Sequence, residues 1–472
     1  MRKLLILASI VFGFSQATAQ EERAYDFTLE EAISFALDSN YTAINARRDI
    51  ARAIKQKWET TATGLPQISA NIQYQNFIKQ PVSLLPAAAF DNTSSVVNTV
   101  EDFFDITPNR EPTVPEGFIP IVFGTQQQAT ATATLNQLIF DGSYLVGLQA
   151  ARAFLDFSEN ANEKTQLEVR RGVINAYGSV LLADELVSIF RSNKEKLENN
   201  LYEAQKIFEN GLNEQEEVEQ LEITLLEIAT QLSNAERTAS IARQMFNVAL
   251  GIDVNTPVTL TESLDDLADQ NIQLGALETN LNMEENVDYK IAYNLTEQRS
   301  LELKLEKSRA LPQLSAFVNY GTQAFSDEFS FFDSDQRWFQ QSLFGVNMNI
   351  PIFSSGNRGA KTQQARIALD QAETQLKETV QNIQLQFDTA KSNYKFSVES
   401  YENAKKNLDL AERIERKNQI KFDEGISSSF DLRQAQLQLY SAQQQYFNAM
   451  LNVINSKAEL DTISNSNIIN NN

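Results

Sequence analysis

Side-chain catalysis draws on a short set of groups, and this chain lacks two of them. It contains no His and no Cys. A Cys/His zinc site, a thiol nucleophile and a Ser-His-Asp triad are therefore excluded. What remains is 62 Asp and Glu against 40 Lys and Arg, with hydroxyls and amides. No carboxylate cluster and no Gly-rich phosphate loop stands out. The expectation is of no enzyme, no cofactor and no metal. A formal charge of −22 also argues against nucleic acid as a partner, because that partner needs a basic face. The chemistry left is that of turns, caps and interfaces. Glycines sit in short polar turns, acidic residues follow one turn later, and aromatics crowd the ends of alternating segments.

The elements that position those residues begin after a targeting segment. Met1-Arg2-Lys3, an apolar run over 4–14 and Ala17-Thr18-Ala19 form a signal peptide over 1–19. No later stretch approaches 18 uninterrupted apolar residues, so export without a spanning helix is expected.

Behind it the chain is written twice. Gly64-Leu65-Pro66-Gln67-Ile68-Ser69-Ala70 recurs 246 positions later as Ala310-Leu311-Pro312-Gln313-Leu314-Ser315-Ala316. Leu138-Ile139-Phe140-Asp141-Gly142 recurs at 351–356, offset by 213 to 214. Phe208-Glu209-Asn210-Gly211-Leu212 recurs as Phe422-Asp423-Glu424-Gly425-Ile426, offset by 214. The falling offset locates about 32 extra residues in the first copy, between Ile68 and Leu138. Six of the ten prolines lie in that insertion, and 121–256 and 352–472 contain none. Those two spans are free to be continuous helix.

Three runs there step by alternating 4 and 3: from Leu221 to Ala249, from Ile383 to Ala411 and from Ala435 to Leu460. A mean period of 3.5 keeps one seam on a partner helix. The spans 143–209 and 358–424 hold 67 residues each, about 100 Å of helix at 1.5 Å per residue. Gly211 and Gly425 end them by supplying positive φ, so each half carries a long antiparallel helical hairpin. A plain four-helix bundle is the alternative.

Between the repeated junctions the period falls to 2. Ile68, Ala70, Ile72 and Tyr74 alternate with polar residues, as do Ala129 to Leu135, Leu314 to Tyr320, and Val346 to Ile350. Such strands suit a transmembrane barrel, with Tyr74, Phe77, Tyr320, Phe325, Trp338 and Phe339 as an interfacial girdle. A soluble sheet is the alternative. Four strands cannot close a barrel, and an open edge cannot face lipid. Copies must share one: a dimer gives 8 strands, a trimer 12 and a tetramer 16. The Pro-rich acidic loop over 81–124 and the shorter loop over 326–341 should project outward, and the end of the chain reads as a flexible tail.

This order of helix, LPQ, hairpin, IFDG, long helix, Gly turn and helix, then all again, resembles the outer-membrane efflux protein family, the TolC-like outer membrane factors. Pro351-Ile352-Phe353-Ser354-Ser355-Gly356-Asn357-Arg358 is similar to its strand-to-helix junction, and 422–432 to its helix-tip turn. Leu29-Glu30-Glu31-Ala32 with Ala36, Leu37 and Asn40 resembles its first helix. The resemblance implies a mainly α homotrimer in a Gram-negative outer membrane. Two tandem repeats per chain would close a 12-stranded barrel in lipid and an α-helical tunnel in the periplasm. The implied map is helix 20–64, barrel hairpin 65–140, helical hairpin 141–250 and equatorial linker 251–276. It repeats as helix 277–310, hairpin 311–353 and helical hairpin 354–463, with a tail over 464–472.

The implied partners are a periplasmic adaptor (membrane fusion protein) and an inner-membrane pump. The adaptor would meet the tips Asn210, Gly211, Leu212, Glu424, Gly425 and Ile426. Asp431 matches the first acidic residue of the family's periplasmic aperture, Gln434 stands where the second would be, and Glu217 is the first-copy equivalent. Phe422 and Ser427 replace a Tyr and an Arg that latch the type member, so that latch is not expected here. The implied function is a passive exit duct of a tripartite efflux pump or type I secretion system, carrying small molecules or proteins outward. A non-pore periplasmic coiled-coil scaffold is the alternative; it accounts for the helices but not for four amphipathic strands.

Overall fold

A computed structural model describes residues 25–90, 92–106, 116–211, 214–278 and 280–465. The export segment 1–19, Leu212 and the tail from 466 lie outside the described residues. The chain forms two units. The first comprises 1–57, 149–303 and 362–472, and the second 58–148 and 304–361.

The second unit is built on a sheet of β2 (Gln67–Asn76), β5 (Gln127–Phe140), β7 (Gln313–Ser326) and β8 (Phe339–Asn349). Their order is β2-β5-β7-β8 and every pairing is antiparallel, so the two repeated hairpins lie side by side. Side chains alternate across a strand, so register decides which face each residue joins. Ile68 pairs with Leu135, Leu135 with Val318, and Val318 with Phe344. Ile72, Ala131, Val346 and Met348 share that apolar face. The opposite face carries Ser69, Asn71, Gln73, Thr130, Thr132 and Thr134, and none of the four strands contains a charged residue. The apolar face is open, with Ile68 75% and Ile72 85% exposed. The outer edges of β2 and β8 pair with no described strand.

The insertion, expected as a projecting loop, has structure of its own. Strand β3 (Val82–Pro86) pairs with β4 (Phe118–Val122), and helix α3 (Thr93–Phe104) lies between them in sequence. Residues 107–115 of it are outside the described residues.

Four helices dominate the rest: α4 (Gly142–Glu209), α5 (Gln215–Leu250), α8 (Asn357–Asp423) and α9 (Ser429–Ser464). Their lengths, 68 and 36 then 67 and 36 residues, repeat the duplication. Asp141 starts α4 by accepting the Ser143 N–H at 2.7 Å. The 3.5-period residues supply the seams. Leu221, Ile228, Phe246, Tyr394, Val453 and Leu460 are all buried. Helix α4 is the one described helix long and apolar enough to cross a membrane. Its Val173, Tyr177, Val180 and Leu181 are instead buried in the core of the first unit.

The expected first helix is two. Helix α1 (Leu29–Ser39) ends and α2 (Tyr41–Thr63) begins around Asn40, whose extended backbone breaks the helix. Its Oδ1 accepts the Thr42 N–H at 2.8 Å, so one side chain caps the new start. The linker after α5 also has a partner absent from the sequence reading. Strand β6 (Val258–Leu260) runs parallel to β1 (Tyr25–Phe27), and helix α6 (Leu264–Asn271) follows. Three tyrosine hydroxyls hold α6 on the coil. Tyr446 donates to Asp265 at 3.1 Å, Tyr401 to Asp269 at 3.3 Å, and Tyr394 to the Asn271 carbonyl at 2.7 Å. Helix α7 (Val287–Ser308) completes the second copy.

Candidate functional site: helix tips and sheet faces

In the first unit, both helical hairpins turn on a glycine. Gly425 has φ +70° and Gly211 φ +75°, a region closed to proline and costly for residues with a Cβ. At the second turn the Gly425 N–H donates to the Phe422 carbonyl at 2.9 Å and the Ile426 N–H to that of Lys421 at 2.8 Å. This is the Schellman pair that satisfies the last carbonyls of a helix. Glu424 and Ile426 are left exposed, Ile426 by 77%. At the first turn the Gly211 N–H donates to the Phe208 carbonyl at 2.8 Å, and Asn210 Nδ2 to that of Lys206 at 2.7 Å. Leu212 falls outside the described residues.

The residues expected at an aperture divide. Asp431 is exposed in the first turn of α9, whose N-cap is Ser428. Its N–H donates to Ser428 Oγ at 3.3 Å, while its carboxylate accepts from Ser428 Oγ at 3.1 Å and Ser427 Oγ at 3.2 Å. Gln434, one turn on, is exposed as well. Glu217 is half-buried in the first turn of α5, where Glu214 stands at the cap position without a capping side-chain bond. The equivalent turns thus share the positive-φ glycine and its hydrogen bond and differ in cap. Phe422 is 9% exposed and packs in a cluster with Ala204, Leu221 and Leu432. Those four residues come from α4, α5, α8 and α9, so they tie both tips together. Above them, buried amides bridge the helices: Asn200 to Gln419 at 3.2 Å and Asn193 to Gln443 at 3.2 Å.

Nearer α6, carboxylates of the first unit crowd together. Burial raises Asp184 above the usual carboxylate range, opposed by Arg243 at 2.6 Å. Burial also raises Glu185, and the charges of Asp265 and Asp184 raise it further.

In the second unit, the expected girdle separates by face. Tyr74 and Tyr320 pair with Ala129 and Ala133, on the apolar side. Tyr74 packs edge-on against Phe329 and Phe331, and Phe331 meets Trp338 at 6.4 Å. Phe77 follows β2, its N–H donating to the Gln126 carbonyl. Phe325 and Phe339 do not join them. Phe325 pairs with Gln128 and Phe339 with Gln323, which places both on the polar face. Alternation is counted from the register of the whole ladder, and their aromatic character alone had suggested the other side.

Comparison with known proteins meets the same arrangement. The family model described as outer membrane efflux protein matches residues 292–466. That match lies in the second copy of the repeat and is what ties the chain by sequence to these proteins. It is 22% identical over 347 residues to the alkaline protease secretion protein AprF of Pseudomonas aeruginosa, covering 70% of this chain and 68% of that one. It is also 22% identical over 316 residues to the probable efflux pump outer membrane protein TtgC of Pseudomonas putida, covering 66% of this chain and 63% of that one. Among solved structures, CusC superposes with a TM-score of 0.70 at 15% identity over 95% of both chains. The Campylobacter jejuni CmeC outer membrane channel superposes with a TM-score of 0.68 at 17% identity, over 92% of this chain and 85% of that one. The fold is therefore that of these outer membrane channels.

Proposed function

We propose that three copies form a passive exit duct, with the four-stranded sheets closing one 12-stranded barrel in lipid and the helices forming a periplasmic tunnel. The observation that carries this is the sheet. It has one apolar face, one charge-free polar face and two unpaired edges. Strands β2 and β8 run antiparallel to each other by the odd number of turns between them, so β8 of one copy can continue the ladder onto β2 of the next. Lipid would cover the apolar face, and the β8-to-β2 pairing between copies would remove the edges. Exposed apolar side chains on α5 and α8, such as Leu226, Met245, Leu385 and Phe396, supply the surface on which helices of neighbouring copies pack. A monomeric coiled-coil scaffold would leave both features in water.

The duct does no chemistry; a pump supplies the energy through an adaptor that docks at the Gly211 and Gly425 turns. Similarity to AprF, named for protease secretion, favours a type I system, and similarity to TtgC, named for an efflux pump, favours a tripartite pump. Detergent-extracted protein from outer-membrane fractions should be a heat-resistant trimer by light scattering. Monomers from a soluble periplasmic fraction would return the scaffold reading to first place.

A further inference from the structure

The polar face of the sheet is interrupted along one line. On the rungs joining β7 and β8, Phe317 pairs with Gly345, Asn319 with Leu343, Gly321 with Gln341, and Gln323 with Phe339. Phe325 follows on β7. Three of these four rungs therefore put one apolar side chain on this face, and with Phe325 the line runs at steps of about 7 Å over about 27 Å; the rungs before it, Gln313 with Asn349 and Ser315 with Asn347, are polar. The exception, Gly321 with Gln341, leaves a gap midway.

These side chains are held but not covered. The Phe317 ring lies over Gly345, where a Cβ would come within 2.4 Å of it, so the glycine makes its seat. Phe325 and Phe339 are 6.3 Å apart between ring centroids, and the Arg337 guanidinium lies 5.8 Å from the Phe339 ring. Leu343 is 57% exposed, Phe339 48% and Phe325 38%. On β5 the neighbouring positions are Gln128, Thr130, Thr132, Thr134 and Asn136, with Leu138 at the bulge.

We infer that this stripe is an apolar track on the inner wall of the barrel, on which small lipophilic solutes bind in passing. The inference rests on the barrel reading, which makes the polar face the lumen. The occupant follows from size. Four side chains at roughly half exposure offer on the order of 300–400 Å², below the ~800 Å² per partner of a stable protein interface. The neighbouring strand positions are amide and hydroxyl, and the charge of Arg337 stands beside the track only at its Phe339 end. An apolar body that hops from Phe317 to Leu343, then across to Phe339 and Phe325, leaves water at each step and is never held at all sites at once.

The test is single-channel recording with two blockers of equal charge, tetraphenylphosphonium and tetramethylammonium. Tetraphenylphosphonium should give resolved block events, and Leu343→Ser with Phe339→Ser should shorten their residence time at least tenfold. Tetramethylammonium should show no such events in either protein. Equal residence in wild type and double variant would overturn the track. Face assignment is tested separately, since the chain has no Cys background. Modification of Leu343→Cys by a membrane-impermeant thiol reagent should change the conductance, and Val346→Cys should not respond. The reverse would overturn the barrel orientation, whereas a correct cysteine pattern with unchanged block would reject the track alone.

Discussion

Asp431 has a structural role in the single chain and a proposed electrostatic one in the trimer, and the two can be separated. Ser428→Ala removes the acceptor of the Asp431 N–H and one donor to its carboxylate. That is the loss of an N-cap, about 1 kcal/mol of local stability. Asp431→Asn keeps an acceptor for the serines and removes the charge. Suppose a divalent cation stands about 6 Å from three such carboxylates in water. The attraction is then about 4 kcal/mol before screening. A Debye length of about 8 Å leaves roughly half, a factor of about 30 in blocking affinity. The assay is block of single-channel current by magnesium added on the tip side. Asp431→Asn should weaken block by about that factor, while Ser428→Ala should leave it unchanged and speed hydrogen exchange at the start of α9. If both variants weaken block equally, the carboxylate acts through the cap alone. If neither does, Asp431 lies away from the current path.

Three further outcomes are expected. Phe422→Ala should cost about 3–5 kcal/mol within the small tip cluster, raising proteolysis near 210 and 425 while the thermal transition of the main core shifts little; an unchanged digestion pattern would contradict the cluster's role in joining the tips. Glu185→Gln should raise the melting temperature at pH 7.5. A raised carboxyl pKa destabilises the fold as pH climbs from the ordinary glutamate range through the raised value, so the gain should vanish at low pH; an equal gain at both pH values would refute it. Replacing 83–118 with a short turn should leave trimers intact, because β3 pairs only with β4 among the described strands and the second copy has no insertion; loss of trimers on light scattering would make the insertion structural.

Much of this molecule is legible in sequence because it is periodic and duplicated. A seam such as Ile383, Phe387, Ala390, Tyr394 needs only a 3.5 period to be recognised, and each of these residues is buried. The tip glycines are equally readable, since positive φ after a long helix has few other solutions. What escapes is short or depends on distant partners. Strands β1 and β6 are three residues each and pair across more than 230 positions, too brief for a period to show. Asn40 breaks a helix through its own side chain, inside a stretch otherwise favourable to helix. Phe325 and Phe339 read as girdle residues because aromatics gather at strand ends, yet their face is set by ladder pairs far along the strand. Phe422 stands at a position the family resemblance assigns to a latch, but a phenyl ring without a hydroxyl is better buried, and the cluster takes it.

The central claim is that copies of this chain enclose a water-filled path through lipid. The most direct measurement is current across a planar bilayer after adding the purified trimer. An open duct gives discrete, small, cation-selective steps that persist at constant voltage. Protein that remains in solution and leaves the bilayer silent, with its oligomer intact by light scattering, would contradict it.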